Sequence, residues 1–108
     1  MSEARIEQLK SFIEADPTDT FTRFALALEY LKHDRNEEAL EIFTKILRNE
    51  PGYTGVYYHL GKLYEKLGKQ DEAVRIYSEG IVICRQLNEL HTLQELQQAL
   101  DEALDSDY

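Results

Sequence analysis

Residues 54–64 read Thr54-Gly55-Val56-Tyr57-Tyr58-His59-Leu60-Gly61-Lys62-Leu63-Tyr64, and residues 73–77 read Ala73-Val74-Arg75-Ile76-Tyr77. Tyr57, Leu60, Gly61 and Tyr64 recur at helical spacing, so they share one face. Ala73, Ile76 and Tyr77 do the same a few residues later. Moving the chain by 34 residues lays Thr20–Tyr53 on Thr54–Leu87. Identical pairs then fall at Thr20/Thr54, Leu26/Leu60, Tyr30/Tyr64, Lys32/Lys66, Glu38/Glu72, Ala39/Ala73 and Ile42/Ile76. They cluster on the apolar faces of two amphipathic helices, which argues for a helical-hairpin repeat.

The small residues explain how such a hairpin closes. Ala27 and Gly61 let a second helix cross nearby, and Ala39 and Ala73 are the matching small residues on that second helix. Leu26, Tyr30, Leu60 and Tyr64 fill the space between paired helices. A single hairpin cannot bury its apolar face alone, so neighbours stack.

Working outward, Ile6, Leu9, Phe12 and Ile13 form a stripe that predicts a helix over 3–15, ended by Pro17. Leu9 stands eight residues before Pro17, as Phe43 stands eight before Pro51. This segment therefore reads as a lone second-type helix that caps the array. Further helices are predicted over 20–33, 37–49, 54–67, 70–86 and 89–105. Asp19 suits an N-cap, and Gly68 suits a helix C-terminus. Asp34 occupies the place of Gly68 one repeat earlier. Leu93, Leu96 and Leu100 repeat the spacing of Tyr57, Leu60 and Tyr64 if two residues are inserted.

The repeat resembles the tetratricopeptide family, whose pattern is W-x2-L-G-x2-Y, then A-x3-F, then P. The second copy reads Tyr57-x2-Leu60-Gly61-x2-Tyr64, then Ala73-x3-Tyr77. The first reads Arg23-x2-Leu26-Ala27-x2-Tyr30, then Ala39-x3-Phe43, then Pro51. Arg23 departs from the aromatic, and Arg85 stands where the second copy should have proline. The chain is similar to a small stand-alone member of that family. The resemblance implies an all-α fold of about six helices, with antiparallel hairpins stacked as a right-handed solenoid. One domain, 1–108, would hold a capping helix over 1–17, repeats over 18–52 and 53–87, and a capping helix with acidic tail over 88–108.

Composition narrows the function. The chain has 108 residues, with 12 Lys and Arg against 21 Asp and Glu, a net charge of −9. Such a charge opposes nucleic acid and anionic lipid. No apolar run reaches the length of a membrane span, and the first residues lack a signal-peptide pattern. A cytoplasmic location is the expectation. Gln86–Tyr108 holds no Lys or Arg but carries Glu89, Glu95, Asp101, Glu102, Asp105 and Asp107. That run suits either a solvated capping helix or an acidic docking surface.

No catalytic, metal-binding or cofactor pattern stands out. His33, His59 and His91 are isolated from one another in sequence. Cys84 lies in an apolar run and is expected to be buried and inert. Glu37-Glu38 and Asp71-Glu72 open helices, where they complement the dipole. No enzyme activity and no cofactor are expected.

The resemblance implies a non-catalytic module that takes a peptide or partner helix on the concave side, lined by the first helix of each pair. Phe21, Phe24, Leu28 and Leu31 of the first repeat are the candidates there, with Tyr58, His59, Lys62 and Glu65 of the second. Gln94, Gln98 and Asp101 would add a third row. Some members grip acidic tails of heat-shock chaperones with a clamp of Lys, Asn and Arg. The matching places here hold Phe24, Leu28 and His59, so a partner with apolar anchors and positive charge is expected instead. Helix 20–33 is apolar nearly all round. Its extra face is packed in part by the N-terminal helix, covered by a partner or a second copy, or left as an exposed peptide groove; a second copy gives the alternative of a homodimer built on Phe21, Phe24 and Leu31.

Overall fold

Six α-helices make up the fold of the computed structural model, which describes residues 3–105; the described residues form no strand. They are α1 (Glu3–Ala15), α2 (Thr20–Lys32), α3 (Asn36–Asn49), α4 (Gly55–Lys66), α5 (Gln70–Leu87) and α6 (Leu90–Asp105). Each bound lies within one residue of its expected place. The acidic residue Asp107 and the other tail residues after 105 lie outside the described residues.

Turns supply the reasons for those limits. The Asp19 carboxylate accepts from the Thr22 amide at 3.3 Å and from its hydroxyl at 2.6 Å, which caps α2. These bonds, the hydroxyl's above all, hold the Asp19 carboxyl below its ordinary range. Asp34, Gly68 and Asn88 all take positive φ, at 60°, 77° and 59°. Each closes a helix in the left-handed conformation. Asn88 was not anticipated as a cap. Lacking proline at 85, α5 runs to 18 residues before Asn88 turns the chain. That extension accounts for the two-residue insertion in front of α6.

The helices pack as two compact units, residues 3–48 and 49–105. In the first, α1 lies on α2, and its Ile6 and Leu9 are buried. The Phe24 ring meets the Phe43 ring of α3 at 6.1 Å between centroids. Arg35 ties the unit's polar edge together. Its guanidinium reaches Glu38 at 2.6 Å and Glu3 at 2.8 Å, and lies 4.8 Å over the Tyr30 ring. The Arg35 hydrogen bond holds the Glu38 carboxyl below its usual range.

In the second unit α4 packs on α5, and α6 packs on both. Two glycines set these crossings. A Cβ on Gly61 would stand 2.1 Å from Tyr77 Cε1. A Cβ on Gly80 would stand 2.7 Å from Tyr57 Cβ and 2.8 Å from Leu96 Cδ1. Gly61 was legible as a close-approach residue; Gly80 was not singled out. The Tyr57 hydroxyl donates to the Pro51 carbonyl at 2.6 Å, and Gln70 donates to the Ala103 carbonyl at 2.6 Å. The Thr54 hydroxyl donates to the Glu89 carboxylate, fixing the entry to α6.

Candidate functional site

The candidate residues separate between the two units. On α2, Phe21, Phe24, Leu28 and Leu31 recur on one stripe. Phe21 is 67% exposed, whereas the other three are half-buried. Phe24 is engaged by Phe43 within its own hairpin. Only Phe21 of this set offers a largely open ring.

On α4, Tyr58, His59 and Lys62 come together with residues of α6. The Tyr58 and His59 rings meet edge-on at 5.6 Å. The Lys62 ammonium sits 5.7 Å from the Tyr58 ring centroid and 4.0 Å from the Glu102 carboxylate. Tyr58 shares a groove of about 290 Å³ with Glu95, Gln98, Ala99 and Glu102. Gln98 donates to Glu102 at 3.2 Å, and Glu95 lies 3.3 Å from His91. Burial holds the His59 imidazole below its ordinary value, a push that Glu95 opposes.

Glu65 sits differently from the rest of its row. Its carboxylate accepts from the Tyr77 hydroxyl, a fully buried side chain of α5. Burial, reinforced by that hydrogen bond, pushes the Tyr77 hydroxyl far above its ordinary value. Glu65 is thus engaged in packing the hairpin.

The third row is turned by one residue from the expected Gln94, Gln98 and Asp101. Gln98 lines the groove, but its companions are Glu95 and Glu102. The buried stripe of α6 is Leu96, Ala99 and Ala103. Glu95, Gln98 and Glu102 each precede one of those residues. Counting the two alanines into the apolar stripe, rather than the leucines alone, would have located them.

Chemistry elsewhere is sparse. Cys84 is fully buried, and burial, with Glu89 adding to it, pushes its thiol up. Among the described residues no group of three His, Cys, Asp or Glu side chains could hold a metal ion, and no helix is long and apolar enough to cross a membrane.

Small residues at helix crossings, a 34-residue period and paired helices define a helical-repeat protein. The chain belongs to the tetratricopeptide repeat family, whose model matches residues 1–79. It is 46% identical to a tetratricopeptide repeat domain protein of Salinibacter ruber, whose crystal structure superposes with a TM-score of 0.78 over 81% of this chain and 97% of that one. The TPR2B domain of yeast Sti1, solved as a pHsp70 complex, superposes at 0.84 over 94% of this chain and 81% of that one. At 15% identity it shows the shared fold alone. A tetratricopeptide repeat and J domain-containing co-chaperone of Fusarium oxysporum is 37% identical over 65 residues, 60% of this chain. Anaphase-promoting complex subunit 3 of Dictyostelium discoideum is 33% identical over 69 residues, 64% of this chain. The matched stretches span only 12% and 7% of those two proteins. Scaffolds of this family serve protein–protein interaction by presenting repeated helix faces to partners.

Proposed function

We propose that the chain is a non-catalytic interaction module that takes a peptide or partner helix on α4 and α6 of the second unit. The groove beside Tyr58 carries this reading. It combines an aromatic face, two carboxylates and an amide on rigid helices, a mixture suited to orienting a peptide. Tyr58 supplies apolar area at low entropic cost. Lys62 sets polarity beside Tyr58. The pHsp70 complex formed by a domain of the same fold supports a protein partner for this architecture.

The test is a peptide panel scored by amide shifts of isotope-labelled protein. Tyr58→Ser should weaken binding of any peptide that shifts the α4 and α6 amides, with helicity unchanged. Undiminished affinity would move the contact elsewhere.

A second reading, a homodimer through α2, draws on the open Phe21 ring. A single exposed ring is ordinary for a monomer, and Phe24 is turned to Phe43. Light scattering on untagged protein decides between them. A mass near 12.6 kDa across concentrations sets the dimer aside. A stable doubling that Phe21→Ser abolishes would establish it.

A further inference from the structure

The ligand chemistry of the α4–α6 groove can be read from the chain's own lysine. Lys62 Nζ stands 5.7 Å from the Tyr58 ring centroid and 4.0 Å from Glu102 Oε1. An aromatic face paired with a carboxylate is an environment that attracts cations. Glu95 and Glu102 line the groove on either side of Gln98, each about one turn from it and so about two turns from each other. The α6 sequence contains no Lys or Arg; the basic groups beside these carboxylates are His91, 3.3 Å from Glu95, and Lys62, and the chain as a whole carries −9. Lys62 is 40% exposed, and its ammonium stands beside Tyr58 and Glu102, two of the residues that line the groove. A surface ion pair at 4.0 Å is weak and readily exchanged.

We propose that this groove takes an arginine or lysine side chain of a protein partner, and that Lys62 is the intramolecular cation it displaces. The inference rests on the docking face assigned above and names the partner's chemistry. Tyr58 offers its ring to the cation, Glu95 and Glu102 offer carboxylates from the two ends, and Ala99 leaves room between them. A guanidinium fits this set best, because its plane stacks on a ring while its edge donates to carboxylate. Glutamate or aspartate at the same place would meet two like charges.

The experiment uses three matched twelve-residue peptides with one leucine framework and arginine, glutamine or glutamate at the same three positions. Fluorescence anisotropy gives affinity, and amide shifts give location. The arginine peptide should bind about tenfold tighter than the glutamine peptide, the glutamate peptide weaker than both, with shifts centred on Tyr58 and Ala99. Glu102→Gln should weaken the arginine peptide about fivefold, and Lys62→Met should tighten it about threefold by removing the resident cation. Raising salt should erode the preference. Circular dichroism on both variants excludes misfolding. Equal binding of all three peptides with shifts at Tyr58 and Ala99 would overturn the cation inference and leave the docking face standing. Failure of every peptide to shift those amides would overturn both. No gain from Lys62→Met would overturn the displacement.

Discussion

Arg23 and Tyr57 stand 34 residues apart and do the same work with different chemistry. The Tyr57 hydroxyl donates to the carbonyl of Pro51, six residues earlier, at 2.6 Å. The Arg23 guanidinium donates to the carbonyl of Pro17, also six residues earlier. In both copies the first anchor residue of the leading helix straps the preceding turn to the helix. The apparent mismatch of Arg23 with the aromatic place is thus a substitution of donor. The two bonds differ in burial, since Tyr57 is almost fully buried and the Arg23 contact is exposed. Tyr57→Phe should cost about 1 kcal/mol, the usual net value of one hydrogen bond. Arg23→Ala should cost less, because water replaces the lost partner. Urea denaturation of both variants checks the ranking.

Gly61 and Gly80 should tolerate no side chain. Alanine would add helix propensity worth about 1 kcal/mol at each site. The Gly61 Cβ would meet the Tyr77 ring, which is fully buried and tethered through its hydroxyl to Glu65. The Gly80 Cβ would meet Tyr57 Cβ, an atom fixed to backbone. Overpacking of this kind costs about 1–3 kcal/mol or more, so both alanine variants should be destabilised and Gly61→Leu more so. Gly68 faces open space, and only its φ of +77° resists substitution. Gly68→Asn should therefore be milder than either. Thermal melts of the four variants test the order.

The period, the hairpins and the close crossing at Gly61 were legible because they depend on spacing alone. Gly80 escaped because its counterpart one repeat earlier is Ile46, so the 34-residue comparison carried no signal there. The Arg23 strap escaped because its acceptor is a backbone carbonyl, which leaves no mark on side-chain pattern. The α6 row was misplaced by one residue for a physical reason. Alanines at 99 and 103 carry little hydrophobic weight yet are the residues on which α6 sits. Glu65 was grouped with the concave candidates by spacing, which carries no sign of its hydrogen-bond partner across the hairpin, Tyr77.

That pairing separates a packing role from a binding role for Glu65. Tyr77→Phe removes the hydroxyl donor, and Glu65→Ala leaves a buried hydroxyl without its acceptor. The second is the greater insult, since a buried unsatisfied group costs about 1–3 kcal/mol. Glu65→Gln keeps an oxygen in reach and should lose less than Glu65→Ala. Denaturation midpoints give the three values. If Glu65→Ala instead matched the parent in stability but lost peptide affinity, the carboxylate would belong to the docking face.

His59 gives the fold a pH dependence whose sign is fixed by its surroundings. Burial favours the neutral imidazole, so the folded-state value lies below the ordinary 6.5. Between those two values the unfolded chain binds more protons than the folded one, and stability rises with pH. The His59 contribution is complete above about 6.5 and is lost as pH falls through the folded-state value. Glu95 opposes the shift by favouring the imidazolium. An NMR titration of the His59 ring should therefore give a midpoint below 6.5 in the parent and a lower one in Glu95→Gln. His59→Gln should lose less stability than the parent between pH 7 and pH 5.5. A ring that titrates above 6.5 would mean that the Glu95 carboxylate outweighs burial at this position, and the stability slope would then change sign.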